Sequence, residues 1–204
     1  MLSPQRLYSA CGAHLPFIVF ISILLLCLPI ASMIEFLELR PYYSAKPFFT
    51  ECWRLISGHF IHASWSHLWI NLLNVILLRA VFREWLPTRD FILFLVFSAV
   101  FISTGLWLTT DFTSYVGFSG IFHGLLIYLL LKYWRHSRTL FSIAIMCVIG
   151  KILYEQIYGA SATLAEFIGV GVAIESHSLG VASGLAFYFI KHAICRKVSK
   201  QALD

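Results

Sequence analysis

The chain has 204 residues, of which 59% are hydrophobic and 12% charged, with a mean hydropathy of +0.81. That is far more apolar than a soluble domain, so a water-soluble enzyme or nucleic-acid binder is excluded and an integral membrane protein is expected. The formal charge of +5 reads as topology, because the basic residues cluster in short segments beside apolar runs.

Six apolar spans are expected, near 16–36, 66–84, 91–109, 119–134, 139–158 and 168–190. Together they predict an all-α membrane protein, one polytopic domain over 1–204 with its helical core at about 15–191. The first run is too long for a signal-peptide core and has no small-residue cleavage site after it, so it reads as a retained helix. The segment 37–65, with Pro41, Pro47, Trp53 and Trp65, reads as an ordered interfacial loop. The fourth span is short. Arg6, then Arg79, Arg83 and Arg89, then Lys132, Arg135 and Arg138, then Lys191, Arg196, Lys197 and Lys200 fall on one side of the membrane. Arg40, Lys46 and Arg54 fall on the other, with Lys151 inside span five. This bias predicts cytoplasmic termini, with the 37–65 and 110–118 segments facing outward. The five cysteines form no C-x-x-C pair, so neither a disulfide framework nor a zinc site is expected. His59 and His62 make an H-x-x-H with nothing nearby to complete a metal site.

Polar groups inside spans are expensive and therefore candidates for function. Span two opens with His67 and Asn71, i and i+4 on one helix face. Span four opens in "SYVGFSGIFHGLL", where Ser119 sits in a G-x-S-G. Span six carries His177, about nine residues in and so roughly 13 Å along the axis from the outer end. Gly120 and Gly124 form one G-x-x-x-G, and Gly180 and Gly184 another; with Gly117 they are the expected helix-packing glycines. A close crossing of spans four and six brings the Ser119 hydroxyl to His177, a nucleophile with its general base. His67, Asn71 and the Ser119 amide are then the donors to a developing oxyanion. No acidic third member is evident, since Glu175, two residues before His177, points elsewhere on a helix; the expectation is a Ser-His dyad.

These residues carry a resemblance. "WRLISGHFIHASWSHLWIN", "GFSG" and "HSLGVASG" resemble the rhomboid family of intramembrane serine proteases, over most of the chain from Trp53 to Gly184. The resemblance implies a bundle of six transmembrane helices around an outward-opening, water-filled cavity. It also implies Ser119 as nucleophile, His177 as base, and His67 with Asn71 as oxyanion donors. Where many rhomboids carry a tyrosine four residues after the serine, this chain has His123. Its two readings are stacking or hydrogen bonding beside His177, and satisfaction in the packing between spans. "FSGIFHGLL", "KILYEQIYG" and "ESHSLGVASG" look like the rhombosortase branch of Gram-negative bacteria. That branch implies residence in the bacterial inner membrane with the site facing the periplasm. It implies as substrate the transmembrane GlyGly-CTERM tail of exported proteins, in which glycines loosen the helix top. Beyond that tail and the lipid bilayer, no partner, nucleic acid or cofactor is expected, and the sequence leaves the oligomeric state open.

Lys151 and Glu155, i and i+4 in span five, have two readings. One is a mutually neutralising pair; the other is a place at the substrate gate, where Glu155 meets a substrate amide or an incoming amine and the acyl group passes to an amine rather than water. A catalytically inactive rhomboid-like binder or chaperone of membrane helices is the competing function. It has no chemical need for Ser119, His177, His67 and Asn71 together. A haem protein, suggested by eight histidines, leaves the serine and the glycine faces unexplained.

Overall fold

The structure is a computed structural model that describes residues 52–82, 86–112 and 115–201. The first expected span, 16–36, lies outside the described residues, as do Arg6, Arg40, Lys46 and Arg83. The described elements are helical throughout: α1 (Arg54–Ser57), continued by a 3-10 turn Gly58–Phe60, α2 (Trp65–Val81), α3 (Thr88–Thr109), α4 (Ser119–Lys132), α5 (Arg138–Tyr158), α6 (Ala162–Ile168) and α7 (Ile174–Gln201). By length and composition α3, α5 and α7 can each cross a bilayer, and α1 with α2 passes as a pair bent by 90°. The architecture is a rhomboid-like helical bundle.

α4 is the axis of the bundle. Its residues are apolar on all sides, which suits a helix surrounded by others, and Ile121, Leu125 and Leu129 are fully buried. At the α-helical rise its 14 residues cover about 21 Å, against roughly 30 Å for a bilayer core. A central helix this short must start below one face of the membrane, so its first residue sits at the floor of a depression rather than at the surface.

α4 packs most extensively on α7. A Cβ on Gly180 would stand 2.0 Å from the Gly120 carbonyl oxygen, and one on Gly184 would stand 2.2 Å from the Gly124 oxygen. Backbone therefore touches backbone along this crossing, and any side chain there would hold the helices apart. Buried hydroxyls tie in the third member: Ser98 of α3 and Ser183 of α7 are 2.6 Å apart, and Ser183 also donates to the Gly180 carbonyl at 2.7 Å. At the other end of these helices, Lys191 and Asp90 pair at 2.7 Å, with Asp90 in the first turn of α3 where a carboxylate is favoured.

Two expectations need correction. Of the expected 37–65 loop, residues 37–51 lie outside the described residues, and 54–60 are helical rather than loop. His59 is fully buried, with Nε2 3.1 Å from both Ser103 Oγ and the Ala99 carbonyl, and it draws the α1 turn into the bundle against α3. The last span does not start at 168. Gly169, at φ 78°, ends α6 in the left-handed conformation that closes helices, and α7 begins only at Ile174. His177 is thus in the first turn of its helix, not about nine residues along it.

Candidate active site

Three helix N-termini converge on one side of the bundle. Ser119 is the first residue of α4, His67 the third of α2 and His177 the fourth of α7. Each such terminus leaves amides without intrahelical acceptors and carries the positive end of the helix dipole. α2 is capped by Ser64, whose hydroxyl accepts from the His67 amide at 3.1 Å. No side chain caps α4, so the first-turn amides of Ser119 and its neighbours keep their orientation toward the depression.

The turn leading into Ser119 is held from two sides. Gly117 donates its N–H to the Gly58 carbonyl at 3.1 Å, and Tyr115 donates its hydroxyl to the Gly117 carbonyl at 2.9 Å. Gly117 has φ 116°, which side-chain-bearing residues rarely adopt, and a Cβ there would stand 2.7 Å from the His67 ring. Gly117 was expected among the helix-packing glycines. It lies instead before α4, and its role is to turn the chain beneath the His67 imidazole.

The α4–α7 crossing sets Ser119 Oγ 3.1 Å from His177 Nε2. On the other edge of the same ring, His177 Nδ1 is 2.8 Å from Glu155 Oε2. The expected dyad is therefore corrected: an acidic residue does reach His177, and it comes from α5. Glu175 lies on the histidine's own helix, two residues before it. Glu155 is in the last turn of α5, which runs antiparallel to α4 and delivers its C-terminal end to the converging N-termini. Gln156 fixes that end by donating from Nε2 to Ser178 Oγ at 2.9 Å and to the Ile174 carbonyl at 3.2 Å.

The same carboxylate oxygen takes Lys151 Nζ at 2.6 Å. Glu155 is only 10% exposed, and its contacts with His177 and Lys151 both fall on Oε2. Lys151 and Glu155 thus bond each other, as in the neutralising reading, and both also line the cavity over the site. Lys151 Nζ also stands 2.9 Å from His123 Nε2. His123 Nδ1 is 2.7 Å from the Ser119 carbonyl, and its ring stacks on that of His177 at 4.3 Å and 27°. Of the two readings of His123, the structure therefore gives the one beside His177.

A cavity of about 540 Å³ opens over these groups. His67, Asn71, Ser119, His123, Lys151, Glu155 and His177 all line it. Asn71 donates one N–H to the His67 carbonyl at 2.9 Å. His67 presents its ring edge to His62 at 5.0 Å between centroids. Asn74 also lines the cavity; it follows Asn71 by three positions on one face of α2, a spacing that marks it in the sequence once Asn71 is singled out. Across the opening lie Leu164, Ile168 and the 170–173 segment. α6 is seated on the start of α2, with Ser64 Oγ donating to the Ile168 carbonyl at 2.6 Å and Ser66 Oγ donating to the Phe167 carbonyl.

Residues 50–194 match the family model of the Rhomboid domain. The chain belongs to the rhomboid family. The match covers α1 to α6 and α7 as far as Ile194, so the short central helix, the glycine crossing and the cavity all lie within the rhomboid domain. The family is of the intramembrane-protease type, and apolar helices able to cross a bilayer make this member a membrane protein. A search of curated proteins returned no match.

Proposed function

We propose that this rhomboid is an intramembrane serine endopeptidase with Ser119 as nucleophile, His177 as general base and Glu155 as the acid that orients the base. The single observation that carries this reading is the continuous line from Ser119 Oγ through both nitrogens of His177 to the Glu155 carboxylate, facing a cavity. A triad is recognised by such geometry and roles rather than by order in the chain.

Ser119 Oγ adds to the scissile carbonyl carbon as His177 Nε2 takes its proton. Glu155 stabilises the resulting imidazolium at Nδ1–H. The carbonyl oxygen, now an oxyanion, is met by the Ser119 amide, by His67 and by the second N–H of Asn71. The C–N bond breaks as His177 returns the proton to the leaving amine. Water then adds to the acyl ester, loses its proton to His177, and restores the serine as the carboxylic product leaves. An amine in the place of that water would join the acyl group to a new partner, which is the transpeptidase variant of the same cycle. No cofactor enters either route.

The substrate we propose is the membrane-anchoring C-terminal tail of exported proteins, of the GlyGly-CTERM kind handled by rhombosortases. The cavity supports it, being largely apolar and roofed by Leu164, Ile168 and Val170, a setting for a glycine-loosened helix top rather than for a soluble peptide. The charge bias supports a bacterial inner membrane setting with the cavity toward the periplasm, and exposed Trp65, Trp69 and Phe167 beside it suit an outer interface. Co-expression with a reporter ending in a glycine-rich motif, a hydrophobic helix and a basic cluster tests this. The tail is expected to be removed by wild type and retained with Ser119→Ala. Equal retention with both, by enzyme present in the membrane, would contradict it.

A further inference from the structure

Lysine beside a Ser-His-Glu line poses a chemical difficulty. Lys151 Nζ is 3.1 Å from His177 Nδ1, nearly as close as the Glu155 oxygen on which both converge. An ammonium only donates, so it can bond Nδ1 only if that nitrogen lacks its hydrogen. Neutral His177 would then carry hydrogen on Nε2 and offer Ser119 a donor where catalysis needs an acceptor. The two tautomers of one imidazole thus correspond to an idle and a working serine, and the partner of the other nitrogen decides between them.

His123 supplies the decision. The Ser119 carbonyl can only accept, so His123 Nδ1, 2.7 Å away, carries a hydrogen and donates it. Nε2 of neutral His123 is then a lone pair, and it lies 2.9 Å from Lys151 Nζ. Two of the three Lys151 N–H groups have good acceptors in His123 Nε2 and Glu155 Oε2, which leaves one, 3.1 Å from His177 Nδ1, to compete with Glu155 for that nitrogen. The donors close a ring: Ser119 hydroxyl to His177, His177 to Glu155, Lys151 to Glu155, Lys151 to His123, and His123 back to the Ser119 carbonyl.

With Ser119 as nucleophile and His177 as base, as proposed above, we infer that His123 is a positioning residue that draws a Lys151 N–H to its own Nε2, weakens the lysine's competition with Glu155 for His177 Nδ1, and so favours the His177 tautomer able to accept the serine proton. The stacking of the two imidazoles holds His123 parallel to the ring whose state it governs. The consequence is an unusual epistasis. Loss of His123 alone strengthens the lysine's competition for Nδ1, whereas loss of both removes the competitor.

The test has two arms. In the first, the wild-type protein is labelled with ¹⁵N-histidine in detergent, and the tautomers of the neutral rings are read from the ¹⁵N shifts, with assignment by His123→Phe and His177→Ala. Both His123 and His177 are expected to be protonated on Nδ1. In the second arm, fluorophosphonate labelling rates and reporter kcat and KM are compared for His123→Phe, which keeps a stacking ring, and for His123→Phe combined with Lys151→Met. The single variant is expected to lose on the order of a hundredfold in kcat with little change in KM, the cost of a mispositioned base, and the double variant to recover about tenfold of it. His177 protonated on Nε2 in wild type, or a double variant no faster than the single, would overturn the inference. If the double variant fails to fold, the assigned wild-type spectra decide. An unreactive wild-type serine with both rings protonated on Nδ1 would defeat the protease reading and leave the tautomer assignment standing; a reactive one with Nε2 protonation would do the reverse.

Discussion

The two helices that flank His177 hold it by opposite means. α4 meets α7 backbone to backbone, through glycines that leave no room for adjustment. α5 packs more lightly, through one stripe of Phe141, Ala144, Ile145 and Val148: only 11% of its apolar stretch is buried, against 39% for α3, and Gly150 on it has nothing within 4 Å of where a side chain would begin. The proposed nucleophile and base, Ser119 and His177, sit on the rigid crossing. Glu155 and Lys151 sit on the looser helix, whose last turns they tie in together with Gln156. The Ser119–His177 pair, 3.1 Å apart, is thus built into the core, and Glu155 is carried by the least buried of the three described helices long enough to cross a bilayer.

Disrupting the rigid side is expected to have the largest effect. Gly180→Val puts a branched side chain where the Gly120 carbonyl lies, and the helices must separate. A loss of more than about 4 kcal/mol is expected, enough to abolish folding in many membranes as well as in detergent. Thermal unfolding and serine labelling should fail together, and a stable, reactive Gly180→Val would show that the crossing is not what holds the site.

Disrupting the loose side should leave the fold and remove the chemistry. Glu155→Gln keeps the size of the side chain and removes its charge. Its rate is expected to fall by about 10²- to 10⁴-fold, for both tail cleavage and labelling by a small fluorophosphonate. A substrate gate would behave differently, with cleavage impaired and labelling untouched, so the ratio of the two losses separates the readings. Gln156→Ala is expected to be the mildest of the three. It removes two exposed hydrogen bonds between α5 and α7, and a fall of less than about tenfold in the same rates, with unchanged thermal stability, is the outcome that fits an anchor of the helix end.

The same contrast separates what the sequence reveals from what it hides. Helical character and the expected boundaries of α3, α4 and α5 are legible because apolar runs long enough for a membrane are difficult to mistake. The α4–α7 crossing is legible because two G-x-x-x-G faces sit at matching positions, and small residues at that spacing have few other uses. Glu155 is visible as a charge in an apolar helix. Its partner is not, because the meeting of the last turn of α5 with the first turn of α7 depends on where α7 begins. That start is obscured in turn by the 162–173 stretch, apolar enough to pass as membrane helix although it breaks at Gly169. His123 was legible as a departure from the rhomboid pattern. Its bond to its own helix's Ser119 carbonyl follows the i, i+4 spacing, while its contact with Lys151 required the α5 placement.

The most direct measurement is fluorophosphonate labelling of the solubilised protein, followed over time for wild type, Ser119→Ala and His177→Ala, with folding checked by thermal unfolding. Wild type should label at a single site that is lost in Ser119→Ala, and His177→Ala should label no faster than a free serine. A well-folded wild type that does not label, or a His177→Ala variant that labels as fast as wild type, would contradict the assignment of Ser119 and His177 as nucleophile and base.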